Sequence, residues 1–219
     1  MKTIEFDIGQ STKELFFPKE RVKTKVQVLE ILMEATRYML IRPNVPTEKL
    51  AGKLILHVHK MSRLFFFNNN KYYSIAFPFF VSEYSERLCF SFRNDIEVDS
   101  QLISNVISII KCESFNDKCS LGFAEPIYDI DNEYDGNFWM FLRELLLAED
   151  GYIRYDKDEK GFLDAKEKGE EHRHPLNHYD VFYSNNASFK LGLDNEIVQN
   201  EFVDLLDIKT DCKYIKNLR

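Results

Sequence analysis

All five histidines of the chain fall in two short segments, His57 and His59 in LHVH and His172, His174 and His178 in HRHPLNHYD. Histidine titrates near neutral pH and is the commonest metal ligand, so such clusters mark where acid–base or metal chemistry could concentrate. A strand entered at Tyr179 puts His178 and Asp180 on one face, because alternate residues of a strand point the same way. His174 can reach them across the turn at Pro175. The resulting His174, His178 and Asp180 set suits Zn, Mn or Fe, with Arg154 as a binder of phosphate or carboxylate. His57 and His59 can join only if LHVH is a strand, since residues two apart on a helix lie about 200° apart. The competing reading is structural: Pro175, Leu176 and His178 shape a tight hairpin entry, and the imidazoles bond to backbone or carboxylates.

Two further strings carry oxygen ligands. DKDEKGFLDAKE sets Asp156, Asp158, Gly161, Leu163, Asp164 and Glu167 at spacings of a calcium-binding EF-hand loop, but Lys160 stands where an oxygen is required. A solvated charged loop accounts for it equally well. DLLDIK, with Asp204, Asp207 and Lys209, and the acids Glu97, Asp99, Asp156 and Asp158 offer the carboxylates and lysine of a metal-dependent nuclease. Helix ends and solvation explain them too. Neither a GxSxG nucleophile elbow nor a Gly-rich phosphate loop is present in a chain with only 8 glycines, and Ser184 and Ser188 read as hairpin residues.

The elements that must position these residues follow from periodicity. Val28, Leu29, Ile31, Leu32, Met33, Ala35, Tyr38 and Met39 define a helix from Thr24 to Ile41, closed by Pro43 and wide enough in its stripe to be covered on two sides. PTEKLAGKLILHVHKMSRLFFF reads as a helix passing into a strand near Leu54, and periodicity leaves residues 54–60 open between the two. Tyr73, Ile75 and Phe77, then Leu88, Phe90 and Phe92, alternate as an antiparallel pair between Lys71 and Asn94. Asp99 or Ser100 caps a helix carrying Leu102, Val106, Ile109 and Ile110 that stops near Cys112. GFAEPIYDI reads as a strand, GNFWMFLRELLLAE as a helix ended by Gly151, and GYIRY as a short strand. Asp156 to Arg173 reads as an exposed charged loop. YDVFYS and SFKLGL flank Asn185 and Asn186 as a hairpin, and Asp194 caps a final helix with Val198, Phe202 and Leu205 inward. With no internal repeat and no regular strand–helix alternation, the expected fold is α+β, a single domain over 1–219 with a largely antiparallel sheet and four to five helices.

Composition narrows the function classes. At 219 residues and 44% hydrophobic, the chain can bury one sizeable core. A formal charge of −7 disfavours non-specific nucleic-acid binding, leaving KERVKTK (19–25) and the C-terminal KTDCKYIKNLR as local basic patches. No apolar run suits a signal peptide or a membrane span, so a cytoplasmic protein is expected. There the irregularly spaced Cys89, Cys112, Cys119 and Cys212 stay reduced, with Cys112 and Cys119 the one pair that could form a redox switch.

EDGYIRYDKDE and HPLNHYDVFYSNNASFKLGL resemble a bacterial protein family whose members carry an arginine-tyrosine-acid run, HPL-x-H, and a Tyr-Ser hairpin ending in Lys-Leu-Gly-Leu. The likeness covers about 45 residues, with matches at Arg154, Tyr155, His174, Pro175, His178, Asp180, Tyr183, Ser184 and Lys190. It implies a bacterial source and an accessory gene of mobile or phage-defence loci, and transfers no mechanism. Two functions are therefore expected. One is a non-catalytic accessory subunit that needs no cofactor and engages a protein partner encoded in the same operon, through Tyr179, Tyr183 and Lys190. The other is a metal-dependent hydrolase or nuclease using Arg154, His174, His178 and Asp180 with Zn or Mn.

Overall fold

Phe65 and Phe67 lie on one side of a strand and Phe66 on the other, and this period-two sorting of aromatic side chains runs through the fold. The computed structural model describes residues 2–60, 62–69, 71–85, 87–93, 96–116, 137–184 and 187–211. Its strands are β1 (Lys2–Gly9), β2 (Leu50–Val58), β3 (Arg63–Asn68), β4 (Lys71–Ala76), β5 (Phe80–Tyr84), β6 (Arg87–Phe92), β7 (Ile96–Glu97), β8 (Ile153–Lys157), β9 (Asn177–Ser184) and β10 (Ala187–Leu193). Seven form one sheet in the order β1-β2-β3-β4-β8-β9-β10, and β5-β6-β7 form a second. Every neighbouring pair is antiparallel. The helices are α1 (Lys13–Phe16), α2 (Lys25–Ile41), α3 (Ser100–Lys111), α4 (Glu113–Asn116), α5 (Phe138–Leu147), α6 (Glu159–Lys166) and α7 (Gln199–Leu205). The chain is thus one α+β domain built on an antiparallel sheet.

The large sheet is covered on both faces. On one, Leu54, Leu56, Leu64, Phe66, Tyr73 and Ile75 meet α2, α3 and α5 in the main core. On the other, Phe65, Phe67, Tyr72, Tyr155 and Tyr179 close around Phe202 of α7, which is fully buried. Burying a side chain of that size contributes about 1.5–3 kcal/mol. α2 begins at a capping box in which Thr24 and Gln27 satisfy each other's backbone N–H groups. It ends at Arg42 in the left-handed conformation, one residue before Pro43.

Several expectations are corrected. Thr47–Lys49 makes only a 3-10 turn, and strand β2 starts at Leu50 and runs to Val58, because its Leu54 and Leu56 alternate into the core. The runs at 71–76 and 87–92 are strands but do not pair: β4 lies between β3 and β8, while β6 lies between β5 and β7. Residues 156–173 are not one exposed loop. Asp156 is buried in β8, and Asp158 caps α6 by accepting from the Gly161 N–H at 2.9 Å, which excludes the EF-hand turn. α7 is capped by Glu201 accepting from the Val198 N–H at 2.9 Å, not by Asp194, and Val198 is exposed. GFAEPIYDI, Cys119, Cys212 and the Asn185–Asn186 turn lie outside the described residues. No helix of the described residues is long and apolar enough to cross a membrane.

Candidate functional site

Register decides which polar side chains meet. β8 and β9 pair with Arg154 opposite Asp180 and Asp156 opposite His178, and β10 adds Lys190 opposite Asp180. All five share one face, the face that carries Tyr73 and Phe66 further along the sheet, since Arg154 is opposite Tyr73 and Tyr73 opposite Phe66. The face that is apolar over β1 to β4 therefore turns charged over β8 to β10.

These groups are tightly interlocked. Arg154 Nη2 lies 2.7 Å from Asp180 Oδ2 and 2.5 Å from Asp156 Oδ2. Lys190 Nζ donates to His178 Nε2 at 2.5 Å and stands 3.4 Å from Asp180 Oδ1, which Arg21 Nη1 also approaches to 3.4 Å. His178 Nδ1 is 2.8 Å from the Pro175 carbonyl oxygen, so Nδ1 carries the proton and Nε2 is the acceptor. Arg154, Asp156, His178 and Asp180 are all buried. Two buried atoms, Arg154 Nε and Asp156 Oδ1, have no hydrogen-bond partner among the described residues. Leaving such groups unmet costs about 1–3 kcal/mol each, a cost typical of sites that receive a ligand or water.

Protonation follows from burial and charge. Burial lowers the His178 pKa, and the nearby Lys190 ammonium lowers it further, so the ring is neutral near pH 7. For Asp180, burial pushes upward but is outweighed by Arg154, Lys190, His178 and Arg21, and the carboxyl sits below its ordinary value. For Arg154, burial pulls downward and is outweighed by Asp156, Tyr152 and Asp180, keeping the guanidinium charged.

Arg21, Arg154 and Asp156 of this cluster line a cleft of about 530 Å³, with His178 and Asp180 buried behind them. Among the described residues six cationic side chains line it, Lys13, Lys19, Arg21, Lys71, Arg154 and Lys157, with the carboxylates Asp156 and Asp158. Lys19 pairs with Glu14 at 3.1 Å and Lys157 with Glu196 at 2.7 Å, surface contacts that solvent and salt weaken.

Of the residues singled out from the sequence, His178, Asp180, Arg154 and Lys190 come together. His174 does not join them through a ligand atom: its Nε2 is 2.9 Å from Asp158 Oδ2, and its ring packs edge-on to that of His178 at 5.1 Å. The donors close enough to share an ion are Asp156, His178 and Asp180, with one ligand atom from each lying within 4.8 Å of the others. His57 is on a strand but on the opposite face of the sheet, against Phe65 at 5.0 Å, and so stands apart from this set. Tyr179 is not a surface contact. It is 8% exposed and stacks near Phe202 at 6.2 Å, because strand alternation turns it away from Asp180 and under α7. The side chain of Tyr183 lies outside the described residues. Asp204 is exposed on α7, and Asp99 caps α3.

The sequence marks Asp156 only as a calcium or nuclease carboxylate and Arg21 only as part of a basic run, and sets neither beside His178 and Asp180. Asp156 follows Arg154 by two residues, a spacing that gives a shared face once the strand is extended past Tyr155. Arg21 lies inside the basic KERVKTK run, and only tertiary folding brings it to Asp180. Compared with known protein families, curated proteins and solved structures, the chain matches none.

Proposed function

We propose that the chain recognises a phosphate-bearing ligand in the cleft that ends at Arg154. The observation that carries this reading is a charge reversal: in a chain of formal charge −7, the described lining of one cleft carries six cationic side chains and two carboxylates. Such a concave positive region concentrates anions and accelerates their capture. Arginine forks match phosphate oxygens in a bidentate way, and Arg154 has an Nε–H still to be used. Asp156 and Asp158 in the cleft, with the neutral His178 imidazole buried opposite Asp156 on the next strand, are groups suited to phosphoester hydrolysis, so a hydrolase acting on the bound ligand is the catalytic form of this proposal.

Calorimetric titration with inorganic pyrophosphate and a nucleoside diphosphate tests it. Binding should weaken as salt rises, and Lys13→Ala/Lys71→Ala should weaken it about tenfold or more, each lost contact being worth roughly a kilocalorie. Failure of both probes to bind at low salt would overturn the reading.

A second reading, the accessory subunit of a bacterial defence system, is favoured by one observation. Among the described residues β10 is an edge strand, and Phe189 and Leu191 on it are exposed, which suits pairing with another chain. Phe189→Ser/Leu191→Ser should then abolish co-purification of an operon-encoded partner while leaving pyrophosphate binding unchanged.

A further inference from the structure

We infer that Asp156, His178 and Asp180 form a site for one divalent transition-metal ion, and that the Lys190 ammonium occupies that site as a resident cation until the metal displaces it.

Four observations converge. The three residues offer ligand atoms within 4.8 Å of one another. Tetrahedral ligands at about 2.1 Å from one ion stand roughly 3.4 Å apart, so the widest pair of the set closes by at most about 1.4 Å as the ion enters. His178 is already oriented as a ligand: the Pro175 carbonyl holds Nδ1–H, which leaves Nε2 as the lone-pair nitrogen. Asp156 Oδ1 is buried without a partner, an acceptor in want of a cation. Finally, a cation is already there. Lys190 Nζ sits 2.5 Å from His178 Nε2 and 3.4 Å from Asp180 Oδ1, in the company an ion on these donors would keep.

Lys190 is also the cation on His178 that is free to leave. It projects from the edge strand β10 with a quarter of its side chain exposed, whereas the side chains of His178 and Asp180 are at most 2% exposed. A flexible ammonium can swing into the solvent without disturbing the sheet. Arg154 would stay, holding one oxygen of each carboxylate and orienting the other. One imidazole nitrogen with two carboxylate oxygens suits Mn, Zn or Fe(II) rather than the all-oxygen sites of calcium.

Charge connects this site to the cleft, a link that rests on the proposed phosphate recognition. With Lys190 in place, Arg154, Lys190 and Arg21 already exceed Asp156 and Asp180 by one positive charge. Exchange of a monovalent for a divalent cation raises that excess to two, which the phosphate oxygens of the ligand offset.

The test uses the full chain and Mn²⁺ alone, with no phosphate compound present. Paramagnetic resonance counts bound Mn²⁺ for the wild type, Lys190→Ala, Lys190→Ala/Asp156→Asn and Lys190→Ala/His178→Gln. The expected result is one Mn²⁺ per chain in the wild type, binding at least about tenfold tighter in Lys190→Ala, and no bound ion in either double variant. In the unmutated protein, Mn²⁺ should broaden the His178 ring resonances and spare those of His57, four strands away on the opposite face, which requires no variant to fold. Absence of a bound ion from folded Lys190→Ala, unchanged affinity in that variant, or unbroadened His178 resonances at saturating Mn²⁺ would each overturn the inference. Because pyrophosphate binding is measured without metal, either claim can fail while the other stands.

Discussion

Arg154 and Asp180 stand opposite each other on β8 and β9 and close a 2.7 Å contact with both side chains almost wholly buried. Breaking a buried pair from one side leaves an uncompensated charge, at a cost of about 3–5 kcal/mol. Arg154→Met strands two carboxylates, Asp156 and Asp180, so its loss of stability in urea denaturation should lie in that range. Asp180→Asn should cost less, since Asp156 still balances Arg154. A loss under about 1 kcal/mol for Arg154→Met would mean that the network contributes little to the fold.

Acid should weaken the protein in two separate steps. The His178 pKa lies below its ordinary value of about 6.5, so as pH falls the unfolded chain takes up the proton first. Stability is therefore lost from about pH 6.5 downward until the folded-state pKa is reached. His57 is shifted the same way by burial and adds its own share. The Asp180 contribution is fully present above about pH 3.9 and is lost only below it, because its folded-state pKa is depressed. Melting temperatures from pH 8 to 5 should fall less steeply in His178→Gln than in the wild type. Equal slopes would show that His178 does not carry this linkage.

The aromatic cluster behind the sheet makes Tyr179 a structural residue. Tyr179→Ala should cost about 3–5 kcal/mol, as removal of a packed aromatic ring does, and Phe202→Ala a similar amount. Phe189→Ala, on the exposed edge, should stay within about 0.5 kcal/mol. Chemical denaturation of the three variants checks the ranking.

Gly52 is required by close approach. A Cβ there would stand 2.6 Å from the Phe67 carbonyl oxygen and 2.8 Å from the Phe17 ring. Because one contact is backbone of the paired strand, relief requires a shift in the sheet, and Gly52→Ala should cost about 1–3 kcal/mol. Gly9→Ala, whose Cβ meets Val45 at an ordinary 3.6 Å, is the control.

How far these features are legible in the sequence depends on whether they are local. α2 is legible because its apolar residues, its Thr24 cap and Pro43 all lie within one segment. The shared face of His178 and Asp180, and the hairpin carrying Lys190, follow from period two alone. Strand partners are another matter. The alternation around Tyr73 and Phe90 identifies two strands, but loop sequence does not reveal that β8 arrives from far along the chain to pair with β4. The place of Asp156 beside His178 is hidden for the same reason: the charges that follow it suggest a solvated calcium-type loop, and only its register against His178 puts it in the site. Tyr179 looks like an interface tyrosine until α7 is packed over it.

The central claim, phosphate recognition at the Arg154 end of the cleft, is tested most directly by the Arg154 Nε–H resonance in a ¹⁵N-labelled sample titrated with pyrophosphate. That N–H is buried and lacks an acceptor among the described residues, so a bound phosphate oxygen should shift it downfield and slow its exchange, with saturation at one ligand per chain. A resonance that stays in place while pyrophosphate reaches millimolar concentration at low salt would contradict the account.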